Sequence, residues 1–261
     1  MKTNMKRVTA SALMVTGLGF AGAASAQSTW SLLDSCTPNS GTTQLATCTS
    51  GGKSVTVTAY AAGSGENFAK ASMTEWGTNG IGVAYTNETT QSPQHAIDNN
   101  GKTELVMLNF TTATMLSALS IGWYQTDADI SVLRWVGTGT PTMPNYNTGN
   151  LVSSSTTQGW QLVSSADVDP SYSWSFNGGG YSSWWLISSY FGGVSGSGDD
   201  NAYGGSKLAA GNDYFKLLSF TGTTQSGGGG GGSVPEPGTL ALAGLALAGI
   251  VGAKRRRAQT V

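Results

Sequence analysis

The sequence predicts an all-β fold: one antiparallel β-sandwich of jelly-roll type, flanked by an N-terminal signal peptide and a single C-terminal transmembrane helix. Three observations lead there. Charged residues make up 10% of the chain and glycine contributes 38 of its 261 residues, so aromatic and β-branched runs alternate with turn formers, as in short strands. Between the two ends, no apolar period of 3.6 residues persists for a helical length. The best helical stretch, residues 67–76 with Phe68, Ala69, Ala71 and Met73, is short. The two long uncharged apolar segments lie at the extreme ends, where they read as addresses and not as core.

In chain order, Lys2, Lys6 and Arg7 form a positive start and residues 8–21 an apolar region. Ala24, Ser25 and Ala26 make a small-residue cleavage site. Residues 1–26 are therefore expected to pass through the Sec translocon and to be cut off by signal peptidase before Gln27. The passenger domain is set at residues 27–220. Its two cysteines, Cys36 and Cys48, lie in the exported part, where a disulfide closing a short loop contributes on the order of 3 kcal/mol.

Residues 54–60 alternate, with Val55, Val57 and Ala59 on one face and Thr56 and Thr58 on the other. Residues 104–110 are almost continuously apolar, as in a central strand covered on both faces. Residues 118–123 alternate with Leu119, Ile121 and Trp123 inward. In residues 130–136 the apolar phase moves from Ile130 and Val132 to Leu133 and Trp135, the pattern of a bulge. Further strands are read at 159–163, 184–189 and 214–220, with turns at Asn99-Asn100-Gly101 and at 177–180. About eight strands with no helices alternating between them fit a sandwich, and an up-and-down barrel is the alternative. An outer-membrane barrel is disfavoured, because its ~10-residue alternating strands do not recur here.

Residues 221–233 form a Gly/Ser/Thr linker that includes the run Gly227 to Gly232. Val234, Pro235, Glu236 and Pro237 follow, then the apolar residues 238–253 and the cations Lys254, Arg255, Arg256 and Arg257. At ~1.5 Å per residue this apolar stretch spans roughly 24 Å as a helix, a little short of the ~30 Å hydrocarbon core. Snorkelling cations and local thinning absorb that mismatch. The basic cluster marks the cytoplasmic side of the inner membrane, which leaves the passenger facing outward.

Motif, helix and basic tail, in that order over residues 233–257, resemble the PEP-CTERM sorting signal of Gram-negative bacteria. The resemblance implies export, a transient inner-membrane intermediate, and recognition and cleavage by exosortase, a membrane-embedded cysteine protease. It also implies a final place at the cell surface or in the extracellular matrix, linked to exopolysaccharide and biofilm. No activity of the passenger follows from it. A second resemblance covers about residues 93–220, through segments such as 95–101, 127–135 and 185–190. These are similar to passengers of exosortase-dependent surface proteins, and the resemblance implies the β architecture and no mechanism.

Within residues 27–233, six bases face thirteen acids, a formal charge of −7 that the basic ends mask in the whole-chain value of −1. So acidic a domain argues against nucleic acid as a partner. His95 is the chain's one histidine, with no nucleophile motif beside it. It reads as a hydrogen-bonded loop residue, and no catalytic residue is assigned. The acid pairs Asp127/Asp129, Asp167/Asp169 and Asp199/Asp200 admit three readings: solvated turn acids, ligands of a structural Ca²⁺, or the two carboxyls of a glycosidase ~5–9 Å apart. Solvated acids are the default. Asp98, Asp127 and Asp129 are the calcium candidates because they flank predicted strand ends, and no other cofactor is expected. Tyr172, Trp174, Phe176, Tyr181, Trp184, Trp185, Tyr190 and Phe191 crowd one segment. Most are expected in the core, with Tyr181 and Trp184 at the surface as candidate glycan contacts. The expected function is a non-enzymatic surface or matrix protein, with a glycan-binding module or a carbohydrate-active hydrolase as alternatives.

Overall fold

The computed structural model describes residues 26–33, 36–38, 45–86, 88, 93, 95–153, 155, 157–168, 171–190, 208 and 211–225. The expected signal peptide through residue 25, the expected linker from residue 226, the motif Val234 to Pro237, the apolar segment 238–253 and the basic tail lie outside the described residues.

The first strand, β1 (Gln27–Ser31), opens at the residue that the expected signal cleavage would expose. Next come β2 (Cys36–Pro38), β3 (Leu45–Ser50) and β4 (Lys53–Ala62). Cys36 and Cys48 face each other across β2 and β3 and are disulfide-bonded. Ser50 pairs with Lys53 around Gly51-Gly52, both at positive φ (53° and 74°), the two-residue turn that matches strand twist and selects glycine. Short strands follow: β5 (Ala69–Lys70), β6 (Ser72–Glu75), β7 (Ile81–Ala84) and β8 (Ile97–Asp98). The rest are β9 (Thr103–Tyr124), β10 (Asp129–Trp135), β11 (Trp160–Asp167), β12 (Ser173–Ser175), β13 (Ser182–Ser189) and β14 (Tyr214–Thr224). Among the described residues there is no α-helix, and the helical stretch expected at 67–76 is β5 and β6. There Ala71 and Met73 are buried while the residues between and after them are not, a period of two that a ten-residue window blurs.

The strands form one antiparallel hydrogen-bonded sheet, where two separate sheets were expected. Its main order is β11-β10-β13-β9-β14-β7-β6, with β4 and β3 branching from β9, and β1 lying on β14. The cause is β9. Twenty-two residues at ~3.3 Å would run roughly 70 Å if straight, against roughly 40 Å for the diameter of such a domain, so the strand must bend. Up to Phe110 it pairs with β4 and β13; from Thr114 it pairs mainly with β14. A strand that turns a corner in this way joins both layers into one network. The layers still face each other: Trp30 of β1 meets Phe110 at 5.1 Å, and Phe110 meets Phe220 of β14 at 6.0 Å.

The main core lies between these layers and includes Val55, Val57, Ala59, Val106, Leu108, Ile130, Val132, Trp185 and Ile187. A second core covers the opposite face of β4, β9, β13 and β10, where Tyr60, Leu105, Met107, Leu133 and Leu186 meet Phe68, Met143, Leu151 and Trp160. The start of β9 is therefore buried on both sides, as its continuous apolar run predicts. The phase change in β10 has the same origin. Ile130 and Val132 enter the main core and Leu133 the second, while pairing with β13 continues in unbroken register. The bulge lies in the neighbour, where β11 skips Val163 opposite Val132 and Leu133. In β9 a bulge at Gly122 turns Trp123 out of the core, and Tyr124 packs against it instead. At the C-terminal end β14 continues to Thr224, so residues 221–224 are strand and the linker starts later than expected.

Candidate functional site

Bent double, β9 brings both of its ends to one end of the fold, beside the ends of β8, β11 and β13 and the starts of β10 and β14. Seven carboxylates gather there in two groups. Glu88, Asp98 and Glu104 have ligand oxygens within 4.8 Å of one another, and so do Asp127, Asp129 and Asp167. Asp213 sits beside the second group, its Oδ1 accepting from the Asp129 backbone N–H at 3.3 Å. The structure thus separates Asp98 from Asp127 and Asp129, with which it was grouped, and joins it to two glutamates. Asn99 links the sides. Its amide donates to Asp213 Oδ2 and to the Tyr190 carbonyl (2.6 Å), and its Oδ1 accepts from the Asp213 N–H at 3.1 Å.

Burial dominates the electrostatics. It pushes Asp98 up to about 7, with a smaller push from the Glu88 charge, against the hydrogen bond from the Asn100 N–H. Burial and then the charges of Asp98 and Glu88 hold Glu104 far above the usual carboxylate range. Asp213 is pushed up to about 9 by burial, then by Asp129 and Asp127. The backbone here is strained as well. His95, Thr126 and Asn212 have φ of 64°, 67° and 72°, and Thr126 and Asn212 directly precede Asp127 and Asp213. A β-branched residue such as Thr126 is a genuine outlier in that region, costing of order 1–3 kcal/mol. Asp169, Asp199 and Asp200 lie outside the described residues.

Nearby, the Lys216 ammonium lies 3.6 Å from the centre of the Trp123 ring and 5.2 Å from that of Trp76. Burial lowers its pKa to about 8, while two indole faces favour the cation. His95 packs its ring on Trp76 at 5.8 Å. Expected to be a hydrogen-bonded loop residue, it donates its backbone N–H to Glu88 Oε1 at 3.4 Å while its ring Nδ1 is buried without a hydrogen-bond partner, and burial followed by the Lys216 charge lowers its pKa.

At the other ends of β10 and β13 the surface opens into two neighbouring grooves of about 500 and 600 Å³. Arg134, Trp135, Tyr181 and Trp184 line the first; Trp135, Tyr146, Asn150 and Gln158 line the second. Trp135 is the rib between them, held edge-on by Trp160 at 5.3 Å and by Tyr146 at 6.3 Å. Tyr181 and Trp184, the pair expected at the surface, share one groove, and Tyr181 is 42% exposed. Their neighbour Trp185 is fully buried and donates its indole N–H to the carbonyls of Thr114 (2.9 Å) and Ser182 (3.2 Å). Phe191 lies outside the described residues. Arg134, Trp135 and Tyr146 were not singled out as surface candidates. The available signal was Arg134 itself, a lone cation inside an apolar strand.

Residues 233–257 match the PEP-CTERM protein-sorting motif. The motif implies recognition by exosortase and sorting to the cell surface through a membrane-associated intermediate. No curated protein and no solved structure matches the chain.

Proposed function

We propose that the chain is an exported, non-enzymatic surface or extracellular-matrix protein, trimmed by exosortase and associated with exopolysaccharide in a biofilm. The sorting motif at residues 233–257 carries this reading. The fold is compatible with cutting at both ends: the described strands run from Gln27 to Thr224, and β1 pairs Gln27 with Thr223. Removal of residues 1–26 and of residues 234–257 would leave each of these strands whole. Deletion of residues 238–257 followed by cell fractionation tests the sorting. Loss of the protein from the surface fraction is expected, and unchanged surface localisation would contradict it.

A second reading, glycan binding by the passenger, is favoured by one observation. Trp135, Tyr181 and Trp184 border a single groove together with Arg134, a set of apolar ring faces beside polar donors that suits sugars. Affinity electrophoresis of the exported chain through the producer's own polysaccharide is expected to show retardation; unretarded migration counts against it. For a hydrolase the geometry is less apt, because Asp129 and Asp167, of the described paired acids, lie at the opposite ends of β10 and β11 from these rings.

A further inference from the structure

We propose that Glu88, Asp98 and Glu104 form a calcium site that fastens the acidic end of the fold. Three separate segments supply one carboxylate each: the connection after β7, the strand β8, and the start of β9. Their ligand oxygens lie within 4.8 Å of one another.

Clustered acids alone do not make a site; the use of each oxygen does. Every one of the three carboxylates gives one oxygen to a backbone N–H. Glu88 Oε1 accepts from His95 at 3.4 Å, Asp98 Oδ1 from Asn100 at 2.9 Å, and Glu104 Oε2 from Asp98 at 3.4 Å. Those bonds orient the side chains. The other oxygens, Glu88 Oε2, Asp98 Oδ2 and Glu104 Oε1, are buried and accept no hydrogen bond. Asp98 is 1% exposed and Glu104 is fully buried, so bulk solvent does not reach them. An unsatisfied buried polar atom costs on the order of 1–3 kcal/mol, and more if charged. Three at one place, mutually repelling, call for a common partner.

Lys102, whose charge acts on the neighbouring Tyr85, is already engaged. Lys102 Nζ sits 2.6 Å from Glu66 and 5.3 Å from the Tyr85 ring centre. The charges that act on Asp98 and Glu104 come from the trio itself, after burial. Three carboxyl groups with all-oxygen donors, which become carboxylates as an ion displaces their protons, match a hard divalent cation. Calcium suits it best, because it takes 6–8 oxygens in irregular geometry, whereas magnesium demands a near-ideal octahedron. Glu88 is only half-buried, which leaves a side open for water ligands. Extracellular calcium modules bind at about 10⁻⁴–10⁻³ M, so such a site would fill outside the cell. The ion would tie the β7–β8 connection to β9 once the chain has been exported.

The test uses the full chain in detergent, stripped with a chelator and titrated with calcium chloride. At a hundred times Kd, the unfolding midpoint should rise by about 5–10 °C, and chelation should reverse the rise. Terbium should give luminescence sensitised by Tyr85, whose hydroxyl lies in the field of all three carboxylates, and calcium should displace it. Glu88→Gln, the mildest change because that side chain is half-exposed, should weaken calcium binding at least ten-fold. An unmoved midpoint would mean that the trio shares protons instead, and would overturn the proposal. So would a shift that Glu88→Gln leaves intact and Asp167→Asn abolishes, which would put the ion at the other trio.

Discussion

Strands β10 and β13 lie side by side, and their two ends have opposite chemistry. At Asp129 and Ser189 they run into buried carboxylates; at Trp135 and Ser182 they open onto grooves walled by rings, an arginine and amides. Six residues of strand, about 20 Å, separate the two. The groove end rests on its own apolar layer, with Trp160, Met143 and Leu151 buried beneath it. The acidic end also packs on buried apolar residues, Ile97, Ala128 and Phe215 among them, but its buried carboxyl groups act on one another, and three backbone residues near it are held at positive φ. One end presents rings and polar groups to a groove. The other gathers carboxyl groups, which the proposed ion would neutralise.

The change expected to damage the groove end most is Trp160→Ala. Its fully buried ring supports Trp135, so chemical denaturation should show a loss of about 3–5 kcal/mol. If the ends are independent, calcium affinity of the folded fraction should be unaltered, and coupling between them would break the comparison. Removing the bridge with Cys36→Ala and Cys48→Ala touches neither end. It should cost about 3 kcal/mol by urea unfolding, with glycan and calcium binding preserved.

A pH series without calcium sharpens the contrast further. Folded Asp213 keeps its proton up to about 9, whereas the unfolded chain releases it near the ordinary value of 3.8. Between those values the folded state binds more protons, so stability should fall as pH rises from about 4 towards 9. Urea midpoints at acidic and alkaline pH should differ less in Asp213→Asn than in the unmodified chain. The smallest structural effect is expected at Tyr181→Ala. Exposed as it is, its loss should alter stability by no more than about 0.5 kcal/mol while weakening polysaccharide retardation about ten-fold.

Much of the strand pattern was legible from alternation. Val55, Val57 and Ala59 alternate with Thr56 and Thr58 because the first three alone enter the main core, even though Thr58 and Tyr60 are buried on the other face of β4. The bend of β9 was not legible, since its pattern changes from two-faced to one-faced within a single strand and so resembles two strands. The apparent phase slip in β10 misled for a related reason: two cores claim its faces over different lengths, while the bulge sits in β11. Of the acidic trio, Asp98 was found and its partners were missed, because Glu88 and Glu104 lie sixteen residues apart and meet through β7, β8 and β9. A shared signal was nevertheless present. Glu104 is the one charged residue of β9 and Arg134 the one cation of β10, and each marks one of the two contrasting ends. The sorting signal, by contrast, is a linear pattern in which motif, apolar stretch and basic tail follow one another without a fold to assemble them.

The most direct test of the sorting claim is an intact-mass measurement on the chain recovered from the cell surface. A species that begins at Gln27 and lacks the apolar residues 238–253 and Lys254 to Arg257 is predicted. Surface material that retains the basic tail would contradict it.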